Sequence, residues 1–400
     1  MTHAFKDHYE VLIIGGGTGG ITVAAKLSNR ADRPEIAIIE PSAEHYYQPL
    51  WTLVGAGAAK RSQTVKPEAM FIPRGTTWIQ DRVTTIDPVA QRVALAGGAS
   101  VTYEQLVVAA GIQIDWTKIP GLAESVGKPG SGVVSNYDFN TVDATWEAIR
   151  TFRGGNAIFT DPKTAVKCGG APQKIMYLAE EALRRQRVRD RSRVIFMNAK
   201  PVNFTAPAYA TTFREMCAER GIEINLGHDL VALRPESREA VFSRADNSEL
   251  VMTYDLIHVT PPQSAPQFLK ESPLANTDGW VDVDKHTLAH TRYPNVFALG
   301  DCSSLPTSKT GAAIRKQAPV VAENLMAVRA KQALPASYDG YTACPVVTGY
   351  GTLVMAEFDY SKEPKESFPF DQNRERYSMY ALKAYALPQL YWHGMLRGRM

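Results

Sequence analysis

The segment that most constrains the fold is 15–20, which reads Gly-Gly-Gly-Thr-Gly-Gly. It follows the apolar run 9–14, which predicts a buried parallel strand, and it precedes 21–29, whose alanine and aliphatic residues favour a helix. Gly15, Gly17 and Gly20 have the GxGxxG spacing of a dinucleotide-binding turn between a strand and a helix. The chain is therefore predicted to begin with a Rossmann-like domain.

Glycine is required at each of these three positions for a different physical reason. A side chain at Gly15 would block the tight turn, one at Gly17 would keep a pyrophosphate away from the backbone, and one at Gly20 would separate the helix from the strand. Glu40 follows Gly20 by 20 residues, at the end of a second predicted strand, 36–40, where a carboxylate can accept from a ribose hydroxyl. These features favour a bound dinucleotide over the alternative, a glycine-rich turn without a ligand.

The length and composition predict a globular protein of more than one domain. The chain has 400 residues, 44% of them hydrophobic and 21% charged, and chains beyond roughly 250–300 residues tend to split into domains. A second strand-turn-helix pattern covers 156–186, another strand is predicted at 193–198, and glycine and proline punctuate 112–135. We predict an α/β fold with two Rossmann-like domains.

The second pattern lacks the glycine spacing of the first. After the predicted strand 156–160, residues 161–172 read Asp-Pro-Lys-Thr-Ala-Val-Lys-Cys-Gly-Gly-Ala-Pro. A cysteine turn thus replaces the phosphate cradle that a nicotinamide dinucleotide would need. We expect a reductant other than a nicotinamide.

Charge, cysteine content and hydropathy exclude several classes of protein. The net charge is +3, too balanced to indicate a nucleic-acid partner, and four cysteines cannot form a disulfide framework. No stretch approaches the roughly 18 apolar residues of a spanning helix, and residues 1–8 lack the apolar core of a signal peptide. We expect a cytosolic or cytosol-facing protein without a metal site.

Two further segments carry a family resemblance. Residues 293–301, Tyr-Pro-Asn-Val-Phe-Ala-Leu-Gly-Asp, resemble the second FAD motif of flavoproteins that have two dinucleotide-binding domains, and 106–111 resembles their intervening short motif. The resemblance implies FAD, with Gly111, Gly300 and Asp301 among the residues that bind it. The alternative for Asp301 is a plain Gly-Asp turn that closes a strand.

The cysteine segments narrow the resemblance. Residues 166–174 resemble the flavin-proximal cysteine segment of the sulfide:quinone oxidoreductases, and 338–345 resemble their second cysteine segment. Segments 46–49, 260–262 and 309–319, which includes Lys316, agree with this family, closest to its type II branch. The resemblance implies a Cys168–Cys344 redox pair, FAD with Lys316 among its binding residues, and sulfide and a membrane quinone as substrates.

The resemblance also implies a mechanism. Sulfide would attack Cys344 of a disulfide and leave a persulfide there, while Cys168 passes two electrons through the flavin to quinone. The acceptor of the sulfane sulfur would be a small thiol or a sulfite-type compound. Lys167 and Lys174 flank Cys168 and could favour its thiolate. Cys217 is read as structural, and Cys302, beside Asp301, is the rival to Cys344.

The carboxyl-terminal part, 374–400, interleaves aromatic and aliphatic residues with basic ones. Two short helices that split near Pro388 are predicted to lie in a membrane surface, and Phe358, Tyr380 and Tyr385 are candidates to line a quinone channel. The alternative is a helix packed on the core or in a dimer contact. We expect a peripheral protein at the cytoplasmic face of the inner (plasma) membrane.

These inferences give a domain plan and leave rival functions open. The plan assigns 1–112 plus 270–330 to an FAD-binding domain, 113–269 to a second Rossmann-like domain without an NAD motif, and 331–400 to quinone and membrane contact. A non-pumping NADH:quinone oxidoreductase would need the second phosphate cradle, and the flavin subunit of a sulfide-oxidising flavocytochrome would need a signal peptide. A flavin-bearing thiol redox sensor would also have the cysteine pair, but it would not sustain turnover with sulfide and quinone.

Overall fold

The computed structural model describes residues 5–400. Its largest sheet has seven strands, and the strand His8–Ile14 lies at the centre between two parallel neighbours. Valine and isoleucine fill these central strands because both faces of a parallel sheet are covered. In spatial order the strands are Thr77–Ile79, Ile36–Ile39, His8–Ile14, Ser100–Val108, Arg92–Leu95 and Val83–Asp87, and Val296–Ala298 also pairs with Ser100–Val108.

Two long helices accompany this sheet. The helix Thr18–Ser28 follows the first strand directly, as the glycine spacing predicts. The helix Gly311–Arg329 begins where the Thr310 hydroxyl accepts a hydrogen bond from the Ala313 amide, and it continues through Pro319 to Arg329. Both helices bring their first turns to the carboxyl edge of the parallel strands, where the predicted glycine turn lies.

The second sheet is entirely parallel. Its five strands are, in spatial order, Val133–Val134, Leu256–His258, Gly155–Asp161, Ser192–Asn198 and Glu223–Leu226. The helices Val142–Thr151, Ala171–Arg185 and Pro207–Glu219 belong to this half, and an antiparallel sheet of Asp229–Arg234, Glu239–Ser243 and Glu249–Thr253 follows it. The α/β class with two parallel sheets is confirmed, whereas the domain boundaries stay a prediction.

Residues 342–397 form a hairpin and a helical tail. The hairpin strands Thr342–Gly349 and Thr352–Phe358 pair with Cys344 opposite Ala356. The tail comprises Tyr377–Ala381, a π-helical turn Leu382–Ala386, the helix Leu387–His393 and a 3₁₀ turn Met395–Arg397. A helix begins at Leu387, next to the division predicted near Pro388, and this proline occupies its first turn, where no helical amide is needed.

Short elements connect these parts. The strands are Glu44–Tyr46, Val65–Pro67, Gln113–Ile114 and Gln263–Ser264, and the short helices are Gln48–Leu50, Trp51–Gly55, Arg61–Thr64, Glu68–Met70, Trp116–Lys118, Leu122–Ser125, Arg189–Arg191, Gln267–Lys270 and Gly300–Cys302. Among residues 5–400, no helix combines the length and apolar character needed to cross a membrane.

Candidate active site

The fold brings the two predicted redox cysteines together although they are far apart in the chain. The sulfurs of Cys168 and Cys344 lie 3.3 Å from each other, and both are free thiols. Cys168 lies on the turn before the helix Ala171–Arg185, in the left-handed region with φ +58°, and its amide donates to the Lys309 carbonyl. That hydrogen bond supports a backbone conformation that non-glycine residues adopt only uncommonly.

The two thiols differ in acidity. The pKa of Cys168 is held well below its usual range, first by the hydrogen bond from Cys344 and then by the charge and hydrogen bond of Lys174, whose ammonium lies 3.0 Å from the sulfur. The pKa of Cys344 is raised by the same hydrogen bond and by burial. Cys168 is therefore the thiolate of the reduced pair and Cys344 the proton donor.

A second lysine near the pair comes from the tail and was missed by the sequence analysis. Lys383 is buried in the π-helical turn, and its ammonium donates to the Pro49 carbonyl at 2.6 Å. Burial, followed by the charge of Lys174, lowers the pKa of Lys383 to about 7. The only sequence signal was one basic residue within an apolar stretch, which a solvated lysine would also give.

The backbone before the second helix is shaped around Cys344. A Cβ added at Gly170 would lie 2.6 Å from the Cys344 sulfur, whereas one added at the adjacent Gly169 would meet nothing within 4 Å. The absent side chain at Gly170 thus lets the start of the helix approach the sulfur pair. The strand of this half ends at Asp161, which pairs with Lys200 at 2.7 Å, and the helix begins only at Ala171, so these residues form no glycine cradle for a phosphate.

A cavity of about 480 Å³ joins the cysteine turn to the first glycine turn. Thr18 and Asp301 contribute walls from the first half, Cys168 from the second, and Leu387 and Tyr391 from the tail. Ligand pockets in proteins typically have about 300–1,000 Å³. The predicted cofactor segments and Cys168 therefore border one space.

The glycine turn fits a dinucleotide. A Cβ at Gly15, which has φ +99°, would lie 2.5 Å from the Ala109 carbonyl oxygen, and one at Gly20 would lie 1.8 Å from the Gly15 carbonyl oxygen. A Cβ at Gly17 would meet no protein atom within 4 Å, so the space beside this backbone is open. The two outer glycines are thus required by the turn itself, and the middle one leaves room for a phosphate.

The other predicted cofactor residues lie at the ends of strands. Glu40 accepts hydrogen bonds from the Gly16 and Ser42 amides, both at 2.8 Å, and burial raises its pKa. Gly111 and Gly300 both have positive φ, at +71° and +73°. Asp301 lines the cavity, where burial raises its pKa. A contact of Glu40 with a ribose stays a prediction.

A contact of Lys316 with FAD stays a prediction. This lysine lies exposed on the helix Gly311–Arg329, with its ammonium 5.7 Å from the Tyr341 ring centroid, and it does not line the cavity. Ala312 and Arg315 line the cavity instead, because positions three apart share a helix face. The basic group beside the cofactor segment is Lys309, which donates to the Asp301 carbonyl at 2.6 Å.

The three candidate quinone residues also lie outside the cavity wall. Phe358 packs edge-on against Phe204, Tyr380 is buried, and Tyr385 is 67% exposed. The tail instead contributes Leu382, Lys383, Leu387, Leu390, Tyr391, Met395 and Met400 to the wall. The quinone contacts of Phe358, Tyr380 and Tyr385 stay a prediction.

The two other cysteines are unsuited to redox chemistry. Cys217 and Cys302 are both buried, and burial raises the pKa of each to about 11. Cys217 contacts the Tyr177 hydroxyl at 3.3 Å, and Cys302 donates to the Val108 carbonyl at 3.4 Å. Neither lies beside another cysteine, and a thiol kept protonated is a poor nucleophile.

Glu357 is a further residue of the cavity that sequence reasoning missed. This buried carboxylate lines the cavity and accepts hydrogen bonds from the Tyr341 hydroxyl, the Ser367 amide and the Gln372 side chain. These contacts fix the segment between the hairpin and the tail. A single glutamate in a predicted strand carried no signal for this role.

Comparisons with known proteins agree with the site. Residues 9–324 match the family model described as "Pyridine nucleotide-disulphide oxidoreductase". The mouse protein "Sulfide:quinone oxidoreductase, mitochondrial" is 48% identical over 395 residues, which cover 98% of this chain and 87% of the relative. The Dictyostelium discoideum protein of the same name is 45% identical over 397 residues, with the same shares covered.

A solved structure supports the fold independently. The sulfide:quinone oxidoreductase from Aquifex aeolicus has a TM-score of 0.83 and 19% identity, and the match covers 98% of this chain and 92% of that one. At this identity the likeness shows the fold alone. The family model and the identity to the mouse and Dictyostelium proteins carry the assignment: the chain belongs to the sulfide:quinone oxidoreductases, within the pyridine nucleotide-disulphide oxidoreductases, and is a flavin-dependent enzyme.

Proposed function

We propose that the protein uses FAD to oxidise sulfide at the Cys168–Cys344 pair and to reduce a membrane quinone. The observation that carries this proposal is the 3.3 Å separation of the two sulfurs beside the cavity that Thr18 and Asp301 also line. A dithiol next to a flavin site suits two-electron sulfur chemistry. The family membership agrees with this reaction.

The sulfide half-reaction begins from the oxidised pair. Hydrosulfide attacks the Cys344 sulfur, the bond between Cys344 and Cys168 breaks, and Cys168 leaves as a thiolate while Cys344 becomes a persulfide. The charge of Lys174, which also contributes to the lowered pKa of Cys168, makes this cysteine the better leaving group. The Lys174 ammonium, 3.0 Å from this sulfur, stabilises the charge that develops there.

The chain offers a complete set of residues to hold FAD. Gly17 and Thr18 at the start of the first helix would receive the pyrophosphate, Glu40 the adenosine ribose, and Asp301 the ribityl region. When bound, the flavin accepts two electrons from the thiolate side and delivers them to quinone. We assign 1–112 plus 270–330 to this FAD-binding domain, 113–269 to the second Rossmann-like domain, and 331–400 to quinone and membrane contact.

The persulfide on Cys344 must be unloaded before the next turnover. A small thiol or a sulfite-type nucleophile attacks the outer sulfur, the sulfur–sulfur bond of the persulfide breaks, and Cys344 leaves as a thiolate. With FAD bound, the flavin would take the two electrons released when Cys168 and Cys344 form their disulfide again. Lys383 and Lys174 provide positive charge near the pair, which favours an anionic acceptor.

The tail supplies the features that a lipid-soluble electron acceptor needs. Leu382, Leu387 and Leu390 give the cavity an apolar wall, and Tyr377 and Tyr385 are 69% and 67% exposed on the outside. Exposed tyrosines beside basic residues are typical of a membrane interface. We propose a peripheral protein at the cytoplasmic face of the inner (plasma) membrane.

An anaerobic titration tests the proposal. Sulfide should bleach the flavin absorbance of the purified protein, FAD should be released on denaturation, and NADH should leave the flavin oxidised. Cys168→Ser and Cys344→Ser should each lose sulfide-driven bleaching, and the buried Cys217→Ser is the matched control that should retain it. Rapid bleaching by NADH, or normal turnover by either redox-pair variant, would overturn the proposal.

A further inference from the structure

The last residues of the tail lie along the helix Thr18–Ser28, which follows the first glycine turn. Leu396 is buried, and the Asn29 side chain donates to the Arg397 carbonyl at 2.9 Å. Gly398 has φ +68°, and a Cβ there would lie 2.8 Å from the Ala25 carbonyl carbon. The tail therefore approaches the helix Thr18–Ser28 as closely as backbone packing allows.

Four side chains from distant segments form a continuous hydrogen-bond chain at this contact. The Thr18 and Tyr391 hydroxyls lie 2.8 Å apart, the Tyr391 hydroxyl lies 2.6 Å from Nε2 of His45, and Nδ1 of His45 lies 2.8 Å from Oε2 of Glu68. A carboxylate at Glu68 only accepts, so Nδ1 donates to it; with a single proton on the imidazole, Tyr391 then donates to Nε2 and Thr18 to Tyr391.

This chain contacts the glycine turn at both ends. Thr18 is the first residue of the helix after Gly17. At the other end, the second oxygen of Glu68 lies 2.6 Å from the position that a Cβ on Gly16 would occupy. His45, Glu68 and Tyr391 are all at least nine-tenths buried. A buried network in which each member has a partner holds its side chains in one arrangement.

Aromatic contacts also hold the Tyr391 ring in this position. Its ring centroid lies 4.5 Å from that of Tyr47, and the neighbouring Trp392 stacks on Phe71 at 5.0 Å. Burial raises the pKa of Tyr391, which keeps its hydroxyl protonated and able to donate. Because both rings come from the tail and both partners from the first half, the tail has one preferred position.

Both ends of this contact line the cavity. Thr18 lines it from the glycine turn, and Tyr391, with Leu390 and Met395 beside it, lines it from the tail. A group that fills the cavity is therefore enclosed by the tail as well as by the turn. Under thermodynamic linkage, a ligand that contacts a docked segment stabilises the docking, and the docking strengthens ligand binding by the same factor.

We propose that Tyr391 is a positioning residue that fastens the carboxyl-terminal tail to the phosphate end of the flavin site, so that flavin binding and tail docking stabilise each other. The inference rests on the proposed FAD site and adds a role for the tail besides quinone and membrane contact. Loss of the Tyr391 hydroxyl would leave Thr18 and His45 without their shared partner while the ring contact with Tyr47 remains.

Flavin affinity of the apoprotein tests the proposal. Tyr391→Phe should bind FAD at least tenfold more weakly by fluorescence titration, and Tyr385→Phe, on the exposed side of the same tail, should stay within twofold of the unaltered protein. Thr18→Val should resemble Tyr391→Phe, Thr18→Ser should restore binding, and the double variant Thr18→Val/Tyr391→Phe should be no weaker than either single variant. Unchanged affinity in Tyr391→Phe, or additive losses in the double variant, would overturn it.

Amide hydrogen exchange of the unaltered protein gives a second test that no folding defect can affect. FAD should slow exchange across the helix Leu387–His393 at least tenfold, and equal exchange with and without FAD would contradict the coupling. Failure of the apoprotein to bind FAD at all would overturn the proposed function together with this inference. Normal FAD binding and sulfide-driven bleaching without an effect of Tyr391→Phe would overturn this inference alone.

Discussion

The reactivity of the sulfur pair depends on which thiol loses its proton, and individual charges decide this. Cys168 receives a hydrogen bond from Cys344 and the charge of Lys174, whereas Cys344 is more deeply buried and donates. Lys383 adds a second ammonium whose pKa, about 7, lies close to neutral pH. The positive charge near the pair therefore decreases as the pH rises through neutrality, while Lys174 keeps its charge because its pKa is raised.

We predict that Lys174→Met shifts the ionisation of Cys168 to higher pH. The pKa of Cys168 is now held below its usual range, so its thiolate persists at neutral pH and is lost only as the pH falls through that lowered value. Without Lys174 the same loss should begin at least about one pH unit higher, since one unit corresponds to about 1.4 kcal/mol of charge stabilisation. The measurement is the pH dependence of iodoacetamide labelling of the reduced protein, with the adduct located by mass spectrometry.

Lys174→Arg keeps the positive charge and is the matched control for this prediction. Its labelling profile should stay close to that of the unaltered protein, although the wider guanidinium changes the hydrogen-bond geometry. Identical profiles for Lys174→Met and Lys174→Arg would show that the charge of Lys174 does not set the acidity of Cys168.

The sequence predicts some single residues of the site and not others, for a physical reason. Cys168 and Asp301 end or follow strands in local patterns that can be read from a few neighbouring residues. Lys383, Glu357 and His45 gain their roles only from contacts with distant segments, such as Lys383 with Pro49. The FAD contact of Lys316 stays a prediction, since adjacent helix positions point about 100° apart and it is the neighbouring Arg315 that lines the cavity.

At the scale of elements, the two strand-turn-helix units diverge at their turns. The first places glycines where a backbone must approach a phosphate, and the second places Gly170 where a backbone must approach a sulfur. The strand and helix of each unit were predictable, since hydrophobic periodicity is a local property. The use of the second turn for a cysteine pair depended on Cys344, which arrives from a separate hairpin.

Gly170→Ala should impair the sulfur pair without unfolding the protein. Alanine suits the backbone at this position, which has φ −91°, but its Cβ would lie 2.6 Å from the Cys344 sulfur and must displace it. We expect slower formation of the Cys168–Cys344 disulfide, by at least tenfold, in a thiol titration after mild oxidation. Gly169→Ala, which meets nothing within 4 Å, is the control; equal rates in the two variants would contradict this reading of the helix start.

In the first glycine turn, alanine variants at Gly20 and Gly17 should separate an effect on stability from an effect on FAD affinity. Gly20→Ala should destabilise the apoprotein strongly, because the new Cβ would lie 1.8 Å from the Gly15 carbonyl oxygen. Gly17→Ala meets no protein atom within 4 Å, so its apoprotein should melt within a few degrees of the unaltered one while FAD affinity falls at least tenfold. Thermal melts and FAD titrations distinguish the two effects, and full FAD affinity in Gly17→Ala would argue against a phosphate beside this residue.

At the scale of the whole molecule, the aromatic residues of the tail divide into a buried set and an exposed set. Met379, Tyr391, Trp392 and Leu396 pack on the core, as the alternative reading of the aromatic pattern had it, while Tyr377 and Tyr385 remain exposed. The composition alone could not separate these sets, because helical spacing places aromatic residues on both sides of the tail. Which tail side chains are buried depends on the position of the apolar surfaces of the first sheet and the hairpin, and these surfaces are formed by distant parts of the chain.

The two exposed tyrosines of the tail are expected to contribute to membrane binding. Tyr377→Asp/Tyr385→Asp should reduce binding to phosphatidylcholine vesicles that contain phosphatidylglycerol by at least tenfold, since each carboxylate replaces an interfacial ring and repels an anionic surface. Reduction of a quinone held in the vesicles should fall in parallel, whereas bleaching of the flavin by sulfide in solution should change less than twofold, because neither residue lines the cavity. Val89→Asp/Val251→Asp, at positions 81% and 44% exposed on other elements, adds the same charge and should leave vesicle binding close to normal. Equal vesicle binding by the tail variant and the unaltered protein would place the membrane contact on another surface.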